Sequence, residues 1–257
     1  PIDSITGLLR TGEYHTAPMP VISYRGRIWR AVECARSNTD IWGKRYSAMI
    51  ISAPDSADLL QAASWSVTDS LPYDSTYLDG KFGAWLEGNA VVTPDGNVAD
   101  LLRVDYAPGP EYAALIRLCD SVSFDPFDPE KDFVRMPGGA KKFTVRYDSL
   151  SGRYWSLVNY VTQEWAGKQN PAWVRNTLAL SSSPNLQEWT VHRTVLHHPD
   201  IAKHGFQYAD WLFDGNDIVL LSRTAYDDNG TGAHNCHDAN YMTFHRIKDF
   251  RKALTEQ

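Results

Sequence analysis

The chain has 257 residues, 43% apolar and 22% charged. That balance belongs to a folded globular protein and excludes a disordered chain, which could not bury enough surface to offset its conformational entropy. Its formal charge of −6 makes nucleic acid and anionic membrane poor partners, and no stretch approaches the ~18 apolar residues of a membrane span. Three cysteines (Cys34, Cys119, Cys236) leave at least one without a mate and exclude a dense disulfide framework. Nine Trp and thirteen Tyr supply flat amphipathic surfaces of the kind that stack on sugar rings.

In chain order, four turn dipeptides recur between strand-like runs: Arg25-Gly26, Asp95-Gly96, Ser151-Gly152 and Asp214-Gly215. Glycine supplies the positive φ that tight hairpins need, so each marks a β-hairpin. A third strand is expected after each one, at residues 47–52, 112–118, 176–182 and 240–247. In two units a fourth, Trp-bearing run follows, at residues 64–67 and 187–191. Four strands per unit of about 60 residues is the arithmetic of a β-propeller blade. Two β-sandwiches would not explain four equivalent turns. The expected fold is therefore all-β, a β-propeller with four four-stranded blades at roughly 14–73, 84–124, 141–197 and 205–257, forming one domain over 1–257. The best helical candidate, Ser56 to Ala63, is short. The last unit ends after its third strand, so a closing strand is expected from elsewhere, with Ser4 to Leu9 as the candidate.

Polar residues set into apolar strands mark the candidate site, because propellers bind ligands at strand ends and loops on one face. They include His15, Arg30, Glu87, Asn89, Lys142, Arg175, Tyr208, Asp210, Arg223 and Tyr226. Taken singly, each reads more readily as a satisfied structural group, with Arg223 pairing Asp210 or Glu87. Taken together they read as a lined sugar pocket. A glycosidase needs two carboxylates facing one bond, and Glu87 and Asp210 are candidates. The segment from Asp227 to Asn240 holds His234, Cys236 and His237, residue types that bind zinc, with acidic residues on both sides that would also suit calcium. Their spacing is cramped for three ligands, so a metal would need a more distant fourth group. The other reading is an Asx-stabilised turn with His237 facing the channel and no cofactor required. No Gly-x-Ser-x-Gly elbow, phosphate loop or dinucleotide fingerprint is present.

Several motifs together carry a resemblance. Glu13-Tyr14-His15-Thr16-Ala17-Pro18, Gly26-Arg27-Ile28-Trp29-Arg30, Trp85-Leu86-Glu87-Gly88-Asn89, residues 137–143 and residues 222–235 resemble sialidase-like seven-bladed propellers related to ulvan lyases and rhamnose–glucuronate-cleaving enzymes. Ser183-Pro184-Asn185-Leu186-Gln187-Glu188-Trp189 likewise resembles the aspartate-box turn of sialidase-type propellers. The resemblance implies a polysaccharide lyase acting by β-elimination. Arg30 would mask the uronate carboxylate and Tyr14 would transfer the proton, with Tyr73 matching a second tyrosine. It also implies a polysaccharide or oligosaccharide partner, a secreted or periplasmic setting, and further blades before Tyr14 supplied by an additional chain or segment, so that these four are the C-terminal part of a seven-bladed ring. A glycoside hydrolase, with Arg30, Arg103 and Arg223 imitating an arginine trio, and a non-catalytic glycan-binding propeller are the alternatives.

Overall fold

The computed structural model describes residues 13–35, 39–106, 109–227 and 232–255. The chain divides into two compact units, Pro1–Tyr106 with Ala113–Val134, and Ala107–Tyr112 with Arg135–Gln257. Each contains two antiparallel sheets, and the fold is an all-β propeller with four blades in this chain. Among the described residues no helix is long and apolar enough to cross a membrane.

The first blade contains β1 (Tyr14–His15), β2 (Ile22–Tyr24), β3 (Arg27–Ala35), β4 (Tyr46–Pro54) and β5 (Ser66–Val67). Its first position is split, because β1 and β2 pair opposite ends of β3. The second contains β6 (Phe82–Val92), β7 (Val98–Tyr106), β8 (Tyr112–Arg117) and β9 (Phe133–Arg135). The third contains β10 (Thr144–Asp148), β11 (Arg153–Asn159), β12 (Thr177–Ser183) and β13 (Thr190–His197). The fourth has three strands: β14 (Gly205–Asp214), β15 (Asp217–Ala225) and β16 (Tyr241–Ile247).

The four expected hairpins are all present, between β2 and β3, β6 and β7, β10 and β11, and β14 and β15. Gly26, Gly96, Gly152 and Gly215 each have positive φ. All four third strands lie within a residue or two of their expected positions. The second blade runs further than residue 124, because β9 returns to β8 after a loop rich in Asp and Pro. Three residues after such a loop leave little alternation to detect. The helical candidate at Ser56 to Ala63 contains only a 3-10 turn, Ala62–Ser64. The closing-strand candidate Ser4 to Leu9 lies outside the described residues.

The turns between third and fourth strands share one device. Asn185 Oδ1 accepts from the Gln187 and Glu188 N–H groups, and Trp189 Nε1 donates to Leu186 O at 3.0 Å. The first blade repeats it in a longer loop, where Asp58 accepts from Leu60 N and Trp65 Nε1 donates to Leu59 O at 3.0 Å. Asp120 does the same for Val122 and Ser123 in the second blade. A short acceptor side chain turns its own backbone, and the Trp closes the loop over it.

Packing follows from alternation along the strands. In the first unit Trp29, Ala31 and Ile50 meet Ala90, Val98 and Leu118, and a second cluster gathers Tyr77, Phe82, Trp85, Phe127 and Phe133 around ring contacts of 4.4 to 6.0 Å. In the second unit Trp155, Leu157, Leu178 and Leu180 meet Phe206, Trp211, Ile218 and Leu220. Phe250 joins that core from the 3-10 segment Phe250–Leu254.

Arg251 in that segment grips Asp148 with two bonds of 2.7 Å, at the end of β10. The Arg251 hydrogen bonds, helped by those from Ser151, hold the Asp148 carboxyl down to about 2. Its contribution to stability is complete above the unfolded carboxyl value of about 4 and is lost as pH falls through about 2. Arg251→Met is therefore expected to lower the melting temperature at pH 7, with the difference from wild type shrinking between pH 4 and pH 2. Melts across that range check this.

Candidate functional site

In the first unit, charged side chains sit inside strands that are otherwise apolar. His15 and Glu33 are direct cross-strand partners of β1 and β3, and His15 Nδ1 lies 3.1 Å from Glu33 Oε2. Glu33 Oε1 accepts from the Gly88 N–H at 3.0 Å, at a bulge of β6. Next to it in sequence, Glu87 is paired with Arg103 at 2.9 Å, both buried. Asp100 lies behind Gly88, whose missing side chain is a requirement, since a Cβ there would collide with the Asp100 carboxyl. Three carboxyls, one imidazole and one guanidinium thus gather where two adjacent sheets meet.

Their surroundings set different proton affinities. The hydrogen bond to Glu33 raises the His15 pKa above its ordinary value, and burial opposes this. Burial pushes Glu33 up, and the His15 bond offsets part of the rise. Asp100 is fully buried; desolvation and the Glu33 charge raise its carboxyl well above the ordinary range, and the Asn89 N–H offsets only part of this. Only His15 of the bonded pair reaches solvent, its side chain 25% exposed against 1% for Glu33. The His15 ring also packs on Tyr46 and Trp42.

The expected residues of this unit take varied places. His15 and Glu87 belong to the cluster. Asn89 is buried beside it and donates to Leu101 O. Arg30 donates from NH1 to Met19 O and from NH2 to Thr16 Oγ1 and Ala17 O, which ties down the loop between β1 and β2. Tyr14 packs on the cluster of Val32, Cys34, Met49 and Ile51. Tyr73 stacks on Phe82 with the Lys44 ammonium over its ring. Glu33 and Asp100 were not singled out from sequence. The available signal was a charge at each position inside an apolar strand.

In the second unit, Arg175, Tyr208, Arg223 and His237 come together at the end of the fourth blade opposite its Gly215 turn. Gln207 organises them: its Oε1 accepts from Arg175 NH1 at 2.8 Å, and its Nε2 donates to Cys236 O and His237 O. The Arg223 guanidinium lies 4.8 Å over the Tyr208 ring and donates to His237 O at 2.8 Å. Burial and the charges of Arg175 and Arg223 depress the His237 pKa. Lys142 is turned inward, its Nζ donating to Thr144 Oγ1 and Ala209 O. Asp210 pairs with Arg146 at 3.4 Å, not with Arg223.

His234, Cys236 and His237 do not gather their ligand atoms. His234 is exposed, while the Cys236 thiol is buried against Trp173 O with its pKa raised by desolvation. Neighbouring residues of an extended loop face different ways, and the Asx turn made by Asn235 with the His237 and Asp238 N–H groups accounts for the segment. Among the described residues the set with convergent ligand atoms is His198, Asp200 and His204. Yet His204 already donates to Asp200 at 2.8 Å and accepts from Asp227 N, and its ring stacks on His198 at 3.4 Å and 14°. Parallel rings send their lone pairs in parallel, not toward one ion, so these residues do not fit a metal as arranged. Tyr226 packs its ring on both histidines.

No protein-family model and no curated protein matches the chain. Solved structures do match in fold. A Bombyx mori GH32 β-fructofuranosidase aligns with a TM-score of 0.53 at 13% identity, over 91% of this chain and 52% of that one. A levansucrase of B. megaterium aligns at 0.56 and 11%, over 91% and 66%. A Bacillus subtilis levansucrase in complex with oligosaccharides aligns at 0.54 and 11%, over 90% and 66%. The chain spans about half to two thirds of the length of these proteins. It shares the fold of carbohydrate-active enzymes.

Two measurements check the buried cluster. The His15 imidazole is expected to titrate above the ordinary histidine value by NMR, and to fall in Glu33→Gln, where the bond that raises it is weakened and burial remains. For Asp100, a raised carboxyl means that the folded state binds the extra proton, so stability falls as pH rises from about 4 through the folded value. Asp100→Asn is expected to flatten that fall, seen as a gain in melting temperature over wild type that grows from pH 4 to pH 8.

Proposed function

We propose that this chain carries catalytic groups of a glycoside-cleaving enzyme, with the His15–Glu33 pair handling the proton and Glu87 as the second carboxyl group. The observation that carries this reading is the pair itself: a buried carboxyl bonded to a solvent-reaching imidazole, beside another carboxyl held by Arg103. Glycoside hydrolysis needs a group that protonates the departing oxygen and a carboxylate that steadies the positive charge developing at the anomeric carbon while water adds. Glu33 would orient His15 and keep it charged, and His15 would deliver the proton. The fold shared with a β-fructofuranosidase and with levansucrases supports a glycan as substrate. Hydrolysis is preferred to β-elimination because the lyase reading relies on Arg30 to mask a uronate, and Arg30 NH1 and NH2 already bond the Thr16-to-Met19 loop.

Incubation with rhamnose- and uronate-containing glycans such as ulvan and gum arabic separates the possibilities. New reducing ends without ultraviolet absorbance are expected. Absorbance from a 4,5-unsaturated uronate would establish β-elimination instead, and no products would leave a binding protein. Against the substrate that is cleaved, His15→Ala and Glu87→Gln are each expected to lower kcat by roughly 10²–10⁴-fold, the range for a positioned acid–base group.

A further inference from the structure

We propose that Trp42, in the loop between β3 and β4, is the stacking platform for the sugar whose linking oxygen His15 protonates. The proposal rests on the His15–Glu33 reading and adds to it the group that holds a substrate against the imidazole.

Trp42 is 57% exposed and its neighbour Ile41 59%, between Asp40 and Lys44. Single apolar residues scattered over a surface need no explanation, but two adjacent ones beside a buried acid–imidazole pair do. The loop that carries them is fixed. The Arg45 N–H donates to Ile41 O at 3.3 Å and the Tyr46 N–H to Gly43 O at 3.1 Å, so the segment turns back on itself twice. Gly43 has φ +86, and a Cβ there would come within 2.9 Å of Ala84 Cβ, which seats the loop against β6. Arg45 NH2 bonds Glu13 Oε1 at 2.6 Å, and the Tyr46 hydroxyl donates to the same oxygen at 3.1 Å. Glu13 stands two residues before His15, and its carbonyl accepts from the Ala35 N–H. One residue thus ties the loop of Trp42 to the strand of His15. An aromatic face held in advance loses little freedom when a ligand arrives.

The rings are placed for a shared ligand. The Trp42 and His15 centroids lie 6.5 Å apart with their planes at 89°, and Tyr46 packs on the imidazole at 5.0 Å. Perpendicular planes mean that the imidazole does not lie flat on the indole. An indole face is thereby kept for a flat ligand, as its exposure requires. A sugar ring has C–H bonds on its faces and oxygens around its rim. Its C–H side suits an indole, and the rim of a sugar laid there carries the linking oxygen toward the neighbouring imidazole. His15 Nδ1 is engaged by Glu33, so Nε2 is the nitrogen that meets that oxygen. Trp42 therefore supplies position and His15 supplies the proton, from groups anchored to the same glutamate.

The test is affinity electrophoresis of the full chain in native gels containing gum arabic or ulvan, with steady-state kinetics on whichever glycan is cleaved. Wild type is expected to be retarded by at least one of them. Trp42→Ala is expected to bind about tenfold more weakly, the scale of one aromatic contact, with its melting temperature unaltered because the indole is exposed. Trp42→Phe keeps a smaller ring and should fall between the two. In kinetics Trp42→Ala should raise KM about tenfold and change kcat by less than about threefold, the pattern of a lost binding contact and not of damaged chemistry. Retardation of wild type without cleavage would sink the hydrolase reading and leave the platform standing. Cleavage by wild type with KM and retardation unaltered in Trp42→Ala would sink the platform and leave the hydrolase reading standing. A fall in kcat at unchanged KM, a lowered melting temperature that accounts for the loss, or no retardation of wild type in either gel would also overturn the proposal.

Discussion

A sheet of three to five antiparallel strands cannot bury its own apolar side chains, and every other feature of this protein depends on how that is met. Each blade covers its inward residues with another sheet of the same unit. Trp29 and Ile50 close on Val98 and Leu118 in one unit, and Trp155 and Leu180 close on Trp211 and Leu220 in the other. With faces committed to packing, the sheet ends and their loops are left to carry polar chemistry.

That division explains where the charges lie. Glu33, Glu87, Asp100 and Arg103 all belong to strands, yet they collect between the first two blades, where a histidine at a strand start and a glycine at a bulge can accommodate them. Burial raises Glu33 and Asp100, and only a partner restrains the rise: His15 for the first, a backbone N–H for the second. In the second unit the end of the fourth blade away from its Gly215 turn holds Arg175 and Arg223. Gln207 fixes both the loop and Arg175, while Arg223 stacks on Tyr208 and donates to His237 O. The two units thus present different chemistry from one architecture.

Folds of this kind host several reactions on carbohydrates, so architecture alone does not select among them. What separates the readings is the local arrangement. Arg30 is occupied by a loop it holds, and Lys142 is occupied by a carbonyl of the interior. Residue types that suit a substrate are equally good at satisfying orphaned backbone acceptors.

The repeat was legible because turn chemistry is local. A glycine at positive φ between alternating runs, recurring four times, determines hairpins whatever surrounds them, and the Asn185 turn is written in seven consecutive residues. Single polar residues within apolar strands likewise announced His15, Glu87, Tyr208 and Arg223, and the polar segment from Asp227 to Asn240 announced His237. Partnership was decided only by tertiary structure. His15 meets Glu33 through strand register, Glu33 meets Gly88 across two sheets, and Arg223 reaches His237 through a loop held by Gln207. The expected pairing of Arg223 with Asp210 fails because the bulge at Tyr208 shifts the register there, and Asp210 turns to Arg146. The three-residue strand β9 escaped notice for a similar reason, since its alternation is too short to detect until β8 lies beside it. Local backbone preference belongs to neighbours in sequence; ion pairs, raised carboxyls and stacked guanidinium groups belong to neighbours in space, and those exist only after the sheets have packed.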